Sequence, residues 1–192
     1  KQLRDQGTST SVFFGKPAKA FDYAEAYGIK KLLFVGKKEL VKIPFFGYLY
    51  KRAAITVDRG SVESRQKVYE SAHKVIEKGY SICIFPEKDY LDEKILLNSF
   101  KKGAFKLAIE HQLPVFPLVF YDCKRKFPWH TNFGYFGSLR IKALKLVSTN
   151  GMSEKNINLL SLEVYQKIET QLLIDPKKTA IEAIELWNRY KP

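Results

Sequence analysis

Short apolar runs that alternate with helix-periodic segments constrain the fold of this chain more than any other feature. "SVFFG" (11–15), "KLLFVG" (31–36), "AAITVD" (53–58), "YSICIF" (80–85) and "LPVFPLVF" (113–120) are brief, rich in β-branched or aromatic residues, and bounded by Gly, Pro or charge. Such runs read as buried strands. "SLRIKALKLV" (138–147) alternates, with Leu139, Ile141 and Ala143 on one face, and reads as a half-exposed strand. Between them lie helical patterns. Residues 61–78 carry Val62, Val68, Ala72, Val75 and Ile76, with Gly79 at the expected C-terminal cap. Residues 100–111 repeat apolar side chains at Ala104, Phe105, Ala108 and Ile109; residues 153–173 form a long amphipathic pattern and 179–190 a shorter one. The break between the last two is "DPKK" (175–178). Strand–helix alternation predicts an α/β fold with a mainly parallel sheet flanked by helices. A length of 192 residues suits a single domain over 1–192.

Charge narrows the partners. Thirty-three Lys and Arg against 20 Asp and Glu give a net charge of +13, which favours anions: nucleic acid, an anionic bilayer, or phosphorylated and acidic substrates. The basic residues cluster at Lys37, Lys38, Lys42, Lys51 and Arg52, at Lys101, Lys102 and Lys106, and at Lys124, Arg125 and Lys126. Aromatics accompany them: Phe45, Phe46, Tyr48 and Tyr50, then Phe127, Trp129 and Phe133. Cations beside rings suit a membrane interface, although "IPFFGYLY" reads equally well as half-buried core. No nucleic-acid-binding motif accompanies the basic residues, so no nucleic-acid partner is expected. Cys83 and Cys123 are the only cysteines and neither belongs to a metal-ligand pattern, so no metal is expected. Cys83 lies in an apolar run and reads as a buried free thiol, which suits a reducing compartment. No apolar run approaches the roughly 18 residues of a spanning helix. A chain that begins at Lys1 is expected to be a fragment lacking an N-terminal anchor.

Open α/β sheets carry their sites at the carboxyl ends of strands. That rule selects residues 16–22, 37–39, 58–59 and 86–87, and with them Asp22, Lys37, Lys38, Arg59 and Glu87. Together they could hold a phosphate or polarise a carbonyl. The structural alternatives are an N-cap role for Asp22, a salt bridge for Arg59, and a solvated helix start for Lys37, Lys38 and Glu39.

"FVGKKELVKIPFFGYLYKRAAITVDRGS", "ICIFPE" and "FKKGAFKLAIEHQLPVFPLVF" carry a family resemblance. In order and spacing they are similar to the lysophosphatidic acid (1-acylglycerol-3-phosphate) acyltransferase family, its bacterial members above all. The first ends in the family's second motif, the next opens its Phe-Pro-Glu-Gly motif, and the last resembles its Pro-rich fourth motif. The likeness covers residues 12–147. It implies a glycerophosphate acyltransferase-like fold and transfer of an acyl chain from acyl-CoA or acyl carrier protein to a lysophosphatidate-type acceptor, with no cofactor. It also implies phospholipid biosynthesis and peripheral placement on the cytoplasmic face of a membrane, and the basic and aromatic clusters predict contact with an anionic membrane surface. By this resemblance Asp22 is the Asp of a His-x-x-x-x-Asp motif, and Arg59 and Glu87 line the glycerophosphate pocket; the strand-end rule puts Lys37 or Lys38 at its rim.

Two positions depart from that pattern. The motif's His falls on position 17 of "FFGKPAKAFD", which is Pro17 and has no titratable group. The Gly after Glu87 is Lys88, a bulkier and charged residue where glycine leaves a loop open. Three histidines could substitute as a base. His73 reads as a solvated mid-helix residue, His111 as a helix-end residue favoured by the dipole, and His130 as part of an aromatic loop. The chain therefore reads as an acyltransferase with impaired catalysis. The alternative is a non-catalytic lipid- or acyl-carrier-binding relative of the same fold.

Overall fold

The computed structural model describes residues 32–57, 62–87, 95–126 and 138–176. The described residues fall into two compact units, one over residues 32–85 and the other over 86–176. The strand expected at 11–15 and the helix expected at 179–190 lie outside the described residues.

In the first unit, strand β1 (Leu32–Lys37) is the middle of a parallel three-stranded sheet. Its neighbours are β2 (Ala54–Val57) and β3 (Ser81–Cys83), in the order β2-β1-β3. Val35 lies opposite Ile55 on one side and Leu33 opposite Ile82 on the other. Parallel neighbours need a crossover between them. A 3-10 helix (Lys38–Lys42) and helix α1 (Phe46–Ala53) make the first crossover, and helix α2 (Val62–Glu77) makes the second. α2 packs on β2 and β3, with Ala72 buried at 2% exposure among half-buried Val68, Val75 and Ile76. These are the apolar positions that the periodicity selects. Gly79 ends the helix with φ of 78°, a conformation that glycine adopts without a Cβ penalty. Its N–H donates to the Ile76 carbonyl at 2.8 Å, and the Tyr80 N–H to that of Val75 at 3.0 Å.

The second unit is built on helix α3 (Gly103–Glu110), strand β4 (Leu118–Phe120), the short helix α4 (Cys123–Lys126), strand β5 (Ile141–Ala143) and the long helix α5 (Ile157–Leu173). β4 and β5 pair antiparallel, with Val119 opposite Lys142, and a further bridge joins Val115 to Val147. The core is Phe105, Ile109, Val147, Leu160 and Val164, with Phe100, Val115, Met152, Ile157 and Ile168 packed against it. The chain enters α5 through a 3-10 turn (Glu154–Asn156). Its capping box has the Ser153 N–H donating to Asn156 Oδ1 at 2.8 Å. Gln112 ties this turn to α3: its amide donates to the carbonyls of Ile109 (2.7 Å) and Met152 (3.0 Å), and its Oε1 accepts the Gly151 N–H at 2.8 Å.

The mainly parallel sheet expected from the alternation is present as β2-β1-β3. α1 was not among the expected helices; it occupies the stretch that read either as a membrane patch or as half-buried core. The run at 138–147 forms a shorter strand than expected, with Leu139 and Val147 buried, Ile141 and Ala143 half-buried, and Leu146 56% exposed.

Candidate functional site

After β3 the chain continues through Ile84 and Phe85 to Pro86, and Glu87 is half-buried. Proline supplies no N–H, so the link to the next segment runs through its carbonyl, which accepts the Lys101 N–H at 2.8 Å. Glu87 makes an isolated antiparallel bridge with Phe100. Its side chain turns onto the same segment: Oε1 accepts the backbone N–H of Asn98 at 2.9 Å. A carboxylate held by a backbone donor is fixed in direction as well as in place.

The surroundings of Glu87 come from three other elements of its unit. From α5, Tyr165 donates its hydroxyl to the Leu97 carbonyl at 2.9 Å and packs edge-on against Phe100, with ring centroids 5.2 Å apart. Burial, the Glu169 carboxylate and then Glu87 push the Tyr165 phenol above its ordinary range. From α4, the Cys123 thiol is pushed up to about 11, by burial first and then by the charges of Asp122 and Glu87. In the 95–102 segment the Asn98 side-chain Nδ2 is buried without a hydrogen-bond partner.

Behind Cys123 lies a charged cluster. Asp122, at 0% exposure, lies two residues beyond the end of β4. It accepts the Arg140 backbone N–H at 2.9 Å, Nε at 3.0 Å and Nη2 at 2.8 Å. On its other edge the same guanidinium donates to both oxygens of Asp175, at 2.5 and 2.6 Å, and it lies 5.1 Å from the Tyr121 ring centroid. The Asp175 hydrogen bonds, with those of Asp122, raise the Arg140 pKa against the opposing effect of burial. The cluster ties the loop after β4 to β5 and to the residues beyond the C-terminus of α5. Reading the sequence for strand-end carboxylates stopped at Glu87. The same rule applied to "LPVFPLVFYD" selects Asp122.

Of the other expected site residues, Lys37 is the last residue of β1, in register with Val57, and Lys38 is exposed at the start of the 3-10 helix. Asp22 and Arg59 lie outside the described residues, as do Pro17, Lys88 and His130. His73 is half-buried rather than solvated, because its ring packs edge-on against Tyr69 one turn earlier, with centroids 4.7 Å apart. His111 is the C-cap of α3, where its N–H donates to the Leu107 carbonyl at 3.2 Å. Among the described residues, no group of three or more His, Cys, Asp or Glu is arranged to hold a metal ion. No described helix is long and apolar enough to cross a membrane.

Both cysteines are free thiols, and burial pushes each from 9.0 to about 11. The folded state therefore prefers the neutral thiol. That preference stabilises the fold fully below pH 9 and is lost as pH rises through 11. At neutral pH the thiolate fraction is lower than that of an ordinary cysteine by about a hundredfold. Iodoacetamide should accordingly label the native protein at least that much more slowly than the denatured protein. The native rate should climb about tenfold per pH unit up to the raised pKa. Intact-mass measurement at several pH values checks this, and rapid native labelling at pH 7 would contradict it.

Glu87 is half-buried after a parallel strand and fixed to a neighbouring backbone, the position at which open α/β proteins carry their sites. The model of the acyltransferase family matches residues 20–121, more than half of the chain, so the chain belongs to the acyltransferase family. Similar relatives include the 1-acyl-sn-glycerol-3-phosphate acyltransferase of Haemophilus influenzae, 28% identical over 171 residues (85% of this chain and 69% of the relative). The enzyme of that name from Cocos nucifera is 30% identical over 65% of this chain and 41% of its own length. The beta form from Homo sapiens is 26% identical over 75% of this chain and 49% of its own. The chain thus spans less than half of the coconut and human relatives. Among solved structures, the 1-acyl-sn-glycerophosphate acyltransferase PlsC of Thermotoga maritima shares the fold, with a TM-score of 0.60 and 21% identity. That match covers 76% of this chain and 57% of PlsC.

Proposed function

We propose that this chain carries an acyl group from a thioester donor, acyl-CoA or acyl carrier protein, to the free hydroxyl of a lysophosphatidate-type lipid, and that it does so slowly. The observation that carries the reading is Glu87, held by the Asn98 N–H at the end of a Phe-Pro-Glu run inside the matched region. In this reading Glu87 and Arg59 hold the glycerophosphate acceptor, Lys37 and Lys38 attract its phosphate, and Asp22 is the surviving half of a His–Asp pair. The acceptor oxygen attacks the thioester carbonyl, the C–S bond breaks, an ester forms and the thiol leaves. The hydroxyl proton, which a histidine would accept at position 17, passes to water or to the departing thiolate instead. Without a placed base the step is slower by about two to four powers of ten.

The acceptor is a lipid, so transfer takes place at a bilayer surface. The same reading has the protein working peripherally at the cytoplasmic face of a membrane, drawn to anionic lipid by its net charge of +13. A second reading, a lipid- or acyl-carrier-binding relative that no longer transfers, is favoured by Pro17 and Lys88. One assay separates them: release of free thiol from acyl-CoA or acyl carrier protein, with and without lysophosphatidate. A slow release that depends on lysophosphatidate supports transfer. Saturable binding of lysophosphatidate with release no faster than the protein-free blank supports the binding role.

A further inference from the structure

Helix α1 presents an outward face whose chemistry no substrate role explains. Tyr48, Leu49 and Arg52 recur at i, i+1 and i+4, so they share one side of the helix, and Phe45 precedes it as the N-cap residue. These residues face solvent: Phe45 is 94% exposed, Tyr48 62% and Leu49 65%, and Ile43, two residues before Phe45, is 46% exposed. The opposite side is held inward by two glycines. A Cβ on Gly47 would meet the Val41 carbonyl oxygen at 1.9 Å, and one on Gly36 would meet the Tyr50 hydroxyl at 1.5 Å. These close approaches fix how the helix is rolled, so the apolar side stays outward.

Phe45 is the extreme case. Its φ is 60° and its ψ is −50°, a conformation that a bulky residue adopts only at a cost. A residue in that conformation with its ring almost wholly in solvent contributes little to the fold of its unit. Cations accompany this face along the chain. Lys42, Lys51 and Arg52 are exposed, and the Arg52 guanidinium sits 4.5 Å from the Tyr48 ring centroid.

We propose that this face is the surface by which the protein docks on an anionic bilayer, with Phe45 entering the acyl boundary and Lys42, Lys51 and Arg52 meeting the headgroups. This rests on the membrane reading given above and names the residues that carry it. An apolar stripe flanked by Lys and Arg is what an interfacial helix presents to lipid. A projecting ring also favours lipid over an acidic protein: a fluid boundary accepts a protrusion anywhere, whereas a protein must offer a matching pocket.

The test is co-sedimentation of the full chain with phosphatidylcholine vesicles, with and without phosphatidylglycerol. Binding is expected with phosphatidylglycerol and should weaken as salt rises. Phe45→Gly suits the positive φ, so the thermal midpoint should hold or rise, while partitioning to the vesicles falls about tenfold. Leu49→Ser should lower it in the same direction, and Lys51→Ala by about fivefold. If the unaltered protein ignores phosphatidylglycerol vesicles at low salt, the membrane reading itself fails. If it binds them and both Phe45→Gly and Leu49→Ser bind equally well, that reading stands and this face is the wrong one. Loss of binding to acyl carrier protein in Phe45→Gly, with vesicle binding intact, would give the face to an acidic protein and overturn the proposal.

Discussion

Replacing Arg140 with alanine is expected to lower the unfolding free energy by about 3–5 kcal/mol, the usual cost of removing one partner from a buried ion pair. Arg140 lies between two carboxylates with almost no solvent contact: Asp122 is 0% exposed and Asp175 5%. With the guanidinium gone, both carboxylates stay in the interior and lose the cation that separates them. Arg140→Lys restores the charge but not the planar fork that reaches Asp122 on one edge and Asp175 on the other, so it should fall between alanine and the unaltered protein. Exchanging charge for shape should cost less. Arg140→Met combined with Asp122→Asn removes a charge of each sign, and its loss should be smaller than the sum of the two single losses. Denaturant unfolding of the four proteins measures the coupling. A loss under about 1 kcal/mol for Arg140→Ala would mean that the cluster is far better solvated than its geometry implies. Cys123, next to Asp122, feels the Glu87 carboxylate. Loosening the cluster should therefore also speed alkylation of Cys123 relative to Cys83.

Elements that one periodicity defines were legible in the sequence. β1, β2 and α2 follow directly from apolar runs and from the spacing of Val68, Ala72, Val75 and Ile76, and Gly79 marks where α2 ends. α1 was not legible, because "FGYLYKRA" carries a glycine and three aromatics and is only eight residues long. What makes it a helix is tertiary: Gly47 lets the backbone approach Val41, and the Gly47 N–H donates to the Ile43 carbonyl at 2.8 Å. The direction of β4–β5 pairing was hidden for another reason. Pro114 and Pro117 interrupt the donor series in "LPVFPLVF", so the ladder survives only at Val115 and 118–120, with the Pro117 carbonyl accepting the Leu144 N–H at 2.9 Å. At the site, the strand-end rule found Glu87, but the donor that fixes it comes from Asn98, eleven residues on. Nothing in local spacing ties those two together.

The largest functional effect is expected from restoring the two residues that depart from the family pattern. Pro17→His returns an imidazole five positions before Asp22, the spacing at which one carboxylate can orient one base. It also frees a φ angle that proline fixes. Placed bases contribute about two to four powers of ten, so lysophosphatidate-dependent thiol release should rise by about that factor where the acceptor is already held well. Lys88→Gly alone should change little, since it removes a bulky charged side chain after Glu87 without supplying a proton acceptor. Together the two should exceed the product of their separate effects, because a base accelerates only an acceptor held in line with it. The pH profile gives an independent reading. The restored imidazole should add a limb that rises through the ordinary histidine range near pH 6.5 and is absent from the parent. Brisk release by the unaltered protein would mean that another group already serves as the base. No gain in the double variant, with lysophosphatidate binding intact, would mean that the acceptor no longer reaches the thioester, and the chain would then act as a binding protein built on an acyltransferase fold.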